Sequence, residues 1–352
     1  MTYYIGLDAH SRTSTAVVIN ERGEIKCRQT FATSEANLLG FFGKIPGKKH
    51  LTFEECTLSQ WLYVTLKDQV DHLLVCNPVF VAKKHGAKTD FRDALHLAQE
   101  LRGGHLKPVY HDESKWIELR VLVNNYLGLV GDIVRAKNRL KAVFRSEVIN
   151  TNTTHFYTSK ERSKELTHES ARFVAESLFD QIEALEKRKS RYQEFFRNNV
   201  RRYRPIKNLT SVPGISIVRA NVITAVICQP HRFRNKHQFW GYCMLVRHIQ
   251  MSGGRIYGNK RFHGRAELRD IFLGAAESAL RTDTALRDYY EGLRSKGTRH
   301  KDAKIALARK IAATCLCLLK NNDTFKNNHR ELESGRVRTR KELNREFDLK
   351  TP

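Results

Sequence analysis

Acidic residues stand at three separated places within the first hundred residues of this chain. Asp8 ends one apolar run, Glu54-Glu55 follows another, and Asp90 and Asp93 lie three residues apart. Residues with that last spacing share one face at the start of a helix, so their carboxylates would be close together. Carboxylates that close repel each other unless a cation lies between them, and Mg2+ prefers such oxygen ligands. The pattern therefore indicates a divalent metal site.

Each acid also has an ordinary structural interpretation. A strand-end aspartate often caps a turn, adjacent glutamates are common on surfaces, and the helix dipole favours acids in a first helical turn. The functional interpretation depends on a fold that brings all three places together. Four carboxylates can then hold two Mg2+ ions about 3.5–4 Å apart, which assists displacement at a phosphodiester.

A serine between flexible residues forms a second candidate group, in Gln250-Met251-Ser252-Gly253-Gly254. Glycines leave the hydroxyl sterically accessible and let a phosphate approach the backbone. Five basic residues and one acid follow, which suits phosphate binding; the five are Arg255, Lys260, Arg261, Arg265 and Arg269. Ser252 is thus a candidate nucleophile and Tyr257 its rival. A glycine-rich surface loop before a solvated basic helix would give the same spacing.

The whole chain is strongly basic. Its 352 residues include 62 Lys and Arg against 37 Asp and Glu, for a formal net charge of +25. Such an excess predicts a polyanionic partner, and nucleic acid is the first candidate. The predicted nucleic-acid surface also includes the basic segments 197–207 and 294–310. It further includes a Pro-Gly turn, which would expose backbone N–H groups to phosphate. Its members are Arg201, Arg202, Arg204, Lys207, Pro213 and Gly214.

Cysteine usage and hydropathy exclude several classes of protein. The seven cysteines form no CxxC pair and no zinc-type spacing, which predicts reduced thiols in the cytoplasm. The longest apolar runs fall well short of the ~18 residues of a membrane span. We expect neither a signal peptide nor a membrane partner.

The elements that must position these residues follow from periodicity. Three strand-like runs, Tyr3–Asp8, Thr13–Asn20 and Ile25–Thr30, precede alternating helical and strand patterns, with a last short strand at His105–Val109. This order predicts an α/β fold of the ribonuclease-H-like type. Two long helical patterns, at about 114–145 and 170–202, predict either a coiled-coil arm or an ordinary antiparallel pair.

The remainder predicts a mainly helical second domain. We expect a catalytic domain over 1–112, a long-helix linker over 113–205, a helical domain over 206–320 and a polar tail over 321–352.

Several short motifs, in this order, resemble the DEDD transposases of the insertion sequence 110 family, which includes pilin-gene invertases. They are Gly6-Leu7-Asp8-Ala9-His10, Glu55-Cys56-Thr57 with Trp61, Lys88-Thr89-Asp90 with Asp93, Ser211-Val212-Pro213-Gly214-Ile215, Ser252-Gly253-Gly254 and Gly258-Asn259-Lys260. Aligning Thr57 and Trp61 with the family pattern selects Glu55 rather than Glu54.

The resemblance implies a RuvC-like, ribonuclease-H-like domain in which Asp8, Glu55, Asp90 and Asp93 hold Mg2+, a coiled-coil connection, and a helical domain that supplies Ser252. It further implies that the serine attacks DNA and becomes covalently attached. The implied partners are donor and target DNA, a structured guide RNA, and further copies of the chain in a homodimer or homotetramer. The implied location is the bacterial cytoplasm, with association to the nucleoid during the reaction.

Two other functions remain open from the residues alone. A Holliday-junction-type nuclease would use the same acids with water and no serine. A nonenzymatic nucleic-acid-binding protein would use only the basic surface.

Overall fold

The computed structural model describes residues 1–81, 89–112, 116–153, 155–261 and 264–326, with the side chains at 80, 248 and 259–261 excepted. Lys88 and the tail beyond 326 lie outside these ranges. The chain divides into two compact units, Met1–Ser114 and Lys115–Pro352. Across the described residues, every helix is too short or too polar to span a membrane.

The first unit is built on one five-stranded mixed sheet with strand order β3-β2-β1-β4-β5. Strand β1 pairs antiparallel with β2 and parallel with β4, and β4 pairs parallel with β5. Its elements are β1 (Thr2–Ala9), β2 (Thr13–Ile19), β3 (Ile25–Ala32), α1 (Glu35–Gly43), β4 (Lys48–Glu54), α2 (Ser59–Leu66), β5 (His72–Cys76) and α3 (Asp90–Gly103). The predicted α/β order is confirmed.

The two faces of this sheet are covered by different helices. Ile5 and Leu7 are fully buried in a core shared with α1 and α2. Because side chains alternate along a strand, Gly6 and Asp8 belong to the opposite face, which α3 covers. A Cβ on Gly6 would collide with the carbonyl oxygen of Ala94 and lie 2.6 Å from the Ala98 nitrogen. Helix α3 therefore packs directly on the backbone of β1.

The strand predicted at His105–Val109 is wrong. Only an isolated bridge joins Cys76 to Pro108 there, beside backbone bonds from Val109 to Val75 and from Asn77 to Lys107. Proline has no N–H to donate, so a regular ladder cannot continue through it.

The second unit begins with two long antiparallel helices, α4 (Trp116–Ser146) and α5 (Glu169–Arg202). Near their connection they share a core of aliphatic and aromatic side chains. On α4 this core includes Ile133, Ala136, Leu140 and Phe144, and on α5 Leu178, Phe179, Ile182 and Leu185. At the other end of the pair, Leu119, Val123 and Phe196 join the larger core of the unit.

In the described part of the chain, the rest of the unit is helical apart from one hairpin. It comprises α6 (Arg204–Leu209), α7 (Ile217–Ile227), α8 (Lys236–Tyr242), β6 (Arg247–Ser252), β7 (Arg255–Arg261), α9 (Ala266–Ala279), α10 (Ala285–Ser295) and α11 (His300–Asn321). Helices α7, α9 and α11 contribute most of the buried aliphatic residues. The predicted helical character is confirmed, but the sequence did not predict the hairpin.

Candidate active site

The site starts from Asp8, which lies near the end of the central strand. Its side chain is 21 % exposed, and its Oδ2 lies 3.4 Å from Nε2 of His10. Gly6, two residues earlier on the same face, allows α3 to approach closely. The carboxylate is thereby held between the strand end and the first turn of that helix.

Helix α3 supplies two further carboxylates. Thr89 caps the helix, its hydroxyl accepting a hydrogen bond from the Arg92 backbone N–H at 3.3 Å, and Asp90 and Asp93 occupy the first turn. One ligand atom each from Asp8, His10 and Asp90 lies within 4.8 Å of the others. The predicted convergence of the first and third acidic places is thus present in the structure.

The electrostatics of this group favour added positive charge. Burial raises the pKa of the Asp8 carboxyl, and the nearby Asp90 and Asp93 raise this pKa further, against a lowering by His10. Each of these causes except His10 penalises the ionised carboxylate. A bound divalent cation would offset the same penalties. Two carboxylates and an imidazole form a donor set suited to a divalent ion, with Mg2+ favouring the oxygens.

Glu55 lies elsewhere. Its Oε2 is 2.6 Å from Nε2 of His111, and Nδ1 of His111 lies 3.1 Å from Oε1 of Gln60 on α2. The His111 side chain is 5 % exposed and its ring stacks near that of Tyr63, with the ring centroids 5.6 Å apart. Glu55 is therefore engaged with α2 and the segment after α3, outside the group around Asp8.

Two histidines of this region were missed as functional candidates. His10 stands two residues after Asp8, a spacing visible in the sequence. His111 is more than fifty residues from Glu55 and Gln60, so no local signal indicates their contact.

Ser252 is the last residue of β6, at a tight hairpin turn. It pairs with Arg255 across Gly253 and Gly254, which have φ of 55° and 74°. Two positive φ values match the two-residue turns that fit the twist of paired strands. A Cβ on either glycine would meet nothing within 4 Å, and Ser252 is exposed. The hydroxyl is accessible to a large substrate.

The hairpin carries apolar as well as basic side chains on its surface. Ile249, Met251, Ile256 and Tyr257 are all more than half exposed. The register shifts by one residue between Gln250 and Met251, which leaves Tyr257 without a cross-strand partner. The side chains of Lys260 and Arg261 lie outside the described part of the chain.

The predicted basic surface is largely solvent-accessible. Arg201, Arg202, Arg204 and Lys207, at the end of α5 and in α6, are exposed, as are Arg255 and Arg265. Arg265 donates to the Tyr242 hydroxyl at 3.4 Å, and half-buried Arg269 lies 3.5 Å from Asp270. These side chains are available to phosphates without desolvating a buried ion pair.

The Pro213-Gly214 turn has a structural role. Gly214 has a φ of 88°, and a Cβ there would collide with the carbonyl oxygen of Ala275 on α9. Its own carbonyl accepts a hydrogen bond from Arg219 at 2.6 Å. Close packing between helices accounts for this glycine, and phosphate contact at the turn stays a prediction.

Acidic side chains at the end of the central strand lie within a strongly basic chain, a combination typical of proteins that act on nucleic-acid backbones. The family model described as "Transposase" matches residues 5–148, and that of the "Transposase IS116/IS110/IS902 family" matches residues 206–291. The chain belongs to this IS110-type family of transposases, as its motifs predicted.

Two curated relatives come from insertion elements. The chain is 30% identical over 129 residues to the "Insertion element IS900 uncharacterized 42 kDa protein" of Mycobacterium paratuberculosis, covering 36% of this chain and 32% of that protein. It is 28% identical over 119 residues to the "Insertion element IS110 uncharacterized 43.6 kDa protein" of Streptomyces coelicolor, covering 33% and 29%. The matched segments thus span about a third of each relative.

Proposed function

We propose that this chain is the transposase of an insertion sequence, a site-specific recombinase that cuts and rejoins DNA through a serine nucleophile. The observation that carries the proposal is the convergence of Asp8, His10 and Asp90 in a chain of this family. Family membership supplies the class of reaction, and the acidic group supplies a place for the metal that such reactions use.

The first unit is proposed to be a ribonuclease-H-like, RuvC-like domain. Three antiparallel strands followed by two parallel ones, in the order β3-β2-β1-β4-β5, support this assignment. Asp8, Asp90 and Asp93 would hold Mg2+ together with a glutamate at or just after the end of β4, which the family motif gives as Glu55. When bound, the ions would stabilise the charge that develops on the phosphate during displacement.

Ser252 would attack the phosphorus of one phosphodiester. Its Oγ forms a new bond to phosphorus and loses its proton, while the bond to the leaving deoxyribose oxygen breaks and that oxygen gains a proton. One ester replaces another, so the energy of the bond is kept for rejoining. The exposed turn and its two small glycines support access of DNA to this hydroxyl.

Exposed basic side chains would hold the nucleic-acid backbone near the reacting phosphate. Arg255 lies directly across the turn from Ser252 and suits the attacked phosphate itself. On the basis of the family resemblance, we further propose that a structured guide RNA selects the donor and target sequences. The active form would be a dimer or tetramer in which the α4–α5 pair acts as a coiled-coil arm.

The test combines labelled DNA carrying an element end with purified protein, its co-expressed flanking transcript and Mg2+. Denaturing gels should show a DNA strand covalently attached to the wild-type chain. Ser252→Ala should bind the same DNA and form neither adduct nor recombinant. Asp8→Asn, run beside it, should also form no adduct.

Normal strand cutting by Ser252→Ala would contradict the serine mechanism and favour a water-using nuclease. Loss of the adduct in Tyr257→Phe together with an intact adduct in Ser252→Ala would transfer the nucleophile to Tyr257. Cutting by Asp8→Asn at the wild-type rate would contradict the metal site.

A further inference from the structure

The two adjacent glutamates at the end of β4 belong to opposite faces of the sheet. Leu51 and Phe53 of this strand are buried in the core that contains α1 and α2. Side chains alternate along a strand, so Thr52 and Glu54 belong to the other face. Both glutamates carry the same carboxylate group, so their chemistry alone does not distinguish them. The alternation of side chains along β4 does, because it assigns them to different faces of the sheet.

Strand register places Glu54 beside Asp8. In the parallel pair of β1 and β4, Gly6 is opposite Thr52 and Leu7 is opposite Phe53. Asp8 and Glu54 are the next residues on each strand, and adjacent strands lie about 4.8 Å apart. Gly6 is the residue against which α3 packs, so this shared face is the one that carries Asp90.

The surroundings of Cys76 agree with this assignment. Cys76 is the register partner of Glu54 on β5 and packs with Leu97 and Leu101 of α3. Burial raises the pKa of the Cys76 thiol to about 11, a hydrogen bond with Thr52 lowers this pKa, and the charges of Glu54 and, more weakly, Glu55 raise it. Thr52 and Glu54 therefore both lie near a residue of the α3 face.

Glu55 already has a different partner. Its carboxylate lies 2.6 Å from the nearly buried His111 ring, which in turn contacts Gln60 of α2. Helix α2 packs on the face opposite α3, through Leu62 and Leu66. Moving Glu55 into the group around Asp8 would leave His111 without its carboxylate partner.

We propose that Glu54, and not Glu55, supplies the β4 carboxylate of the metal group. Glu55 is then a positioning residue that orients His111 and ties the segment after α3 to α2. This inference rests on the proposed metal site. It changes which of the two glutamates would be the metal ligand.

The test compares two isosteric changes at neighbouring positions, Glu54→Gln and Glu55→Gln, in the full chain. Mn2+ serves as the probe, because its free ion gives an electron paramagnetic resonance signal that disappears on binding. Glu54→Gln should weaken Mn2+ binding by about tenfold or more, since it removes a charged ligand. Glu55→Gln and His111→Ala should both keep the dissociation constant within about twofold of wild type. Circular dichroism checks that each variant is folded.

The Asp8→Asn variant distinguishes failure of the metal site from failure of the Glu54 assignment. If Asp8→Asn loses Mn2+ binding while Glu54→Gln binds normally and Glu55→Gln binds weakly, the metal site stands and the Glu54 assignment is overturned. If the wild type binds Mn2+ no better than Asp8→Asn, both the metal site and the assignment fail.

Discussion

The acidic group and the serine are carried by very different structural supports. Asp8 and Asp90 belong to a central strand and a helix that touch backbone to backbone at Gly6. Ser252 belongs to the turn of a two-stranded ribbon, and Ile249, Met251, Ile256 and Tyr257 of this ribbon are largely exposed. Isolated two-stranded ribbons are only marginally stable in water.

This difference indicates how the proposed metal site and the proposed nucleophile are each positioned. The proposed metal ligands Asp8 and Asp90 are held by elements of the core, so we expect their geometry to exist before any substrate binds. The serine has few buried contacts of its own, so bound nucleic acid would complete its positioning. Changes in the first region should therefore act through stability and metal binding, and changes in the second through activity alone.

The largest effect is expected from Gly6→Ala. Its Cβ would be forced into the backbone of α3, which should reduce the free energy of unfolding by about 3 kcal/mol or more. Gly40→Ala is the matched control, because Gly40 lies exposed within α1 with open space around it, and alanine there should gain about 0.5–1 kcal/mol. Urea unfolding measures both, and equal stability of the two variants would contradict the close packing of α3.

The hairpin turn should show the reverse behaviour. Gly253→Val places a β-branched residue at positive φ, at a cost of about 1–2 kcal/mol, which should slow DNA cleavage about tenfold. Gly253→Asn should retain most activity, because asparagine tolerates this conformation. Because the exposed turn can relieve this strain by changing its own conformation, both variants should melt close to the wild-type temperature. A large drop in melting temperature for either one would show that the turn supports the core.

The acidic group should make stability depend on pH when metal is absent. The folded state raises the pKa of Asp8 through burial and neighbouring carboxylates. Its contribution to stability is therefore full below the ordinary value of 3.8 and is lost as the pH rises through the folded pKa. In EDTA at pH 7, Asp8→Asn should melt above the wild type, and the difference should shrink as the pH falls.

Asp68→Asn serves as the control for that measurement, since the Asp68 side chain is 77% exposed. Its melting temperature should follow the wild type across the same pH range. A wild-type protein more stable than Asp8→Asn in EDTA at pH 7 would contradict the electrostatic interpretation.

The smallest effect is expected from single basic residues. Arg201→Ala should reduce the slope of log affinity for duplex DNA against log salt concentration by about 0.9, the value for one phosphate contact. Arg135→Ala should leave the slope unchanged, because Arg135 is paired with Asp132 on α4. Fluorescence anisotropy at several salt concentrations measures both slopes, and identical slopes would remove Arg201 from the interface.

Local patterns predicted most of the first unit. The start of α3 agrees with the helix start predicted at Asp90, because Thr89 caps the helix through a side-chain hydrogen bond. The hairpin at Ser252 was missed although Gly253-Gly254 between alternating side chains is a hairpin signal. The glycines around Ser252 were also consistent with a surface loop, and the one-residue register shift interrupts the regular alternation.

Of the four acids that motif spacing indicated, the structure brings Asp8 and Asp90 together, with Asp93 in the same helical turn as Asp90. The resemblance selected Glu55 from motif spacing, whereas the structure pairs Glu55 with His111, and the alternation of side chains along β4 is our reason for proposing Glu54 instead. Motif spacing gives only the number of residues between two positions along the chain. The face of the sheet to which a side chain belongs depends on its position within the strand, which motif spacing does not specify. The contact between Glu55 and His111 depends on tertiary folding, so sequence periodicity could not reveal it.

The α4–α5 pair sets a rule for how this protein could change in length. At about 1.5 Å per residue, the 31 residues of α4 form a rod of about 46 Å. Each inserted residue turns everything beyond it by about 100° around the helix axis. Natural or engineered length variants of the pair should therefore differ by nearly whole numbers of turns, about 7, 11 or 18 residues matched on both helices. A step of one or two residues would rotate the Phe144 cluster away from its partners on α5.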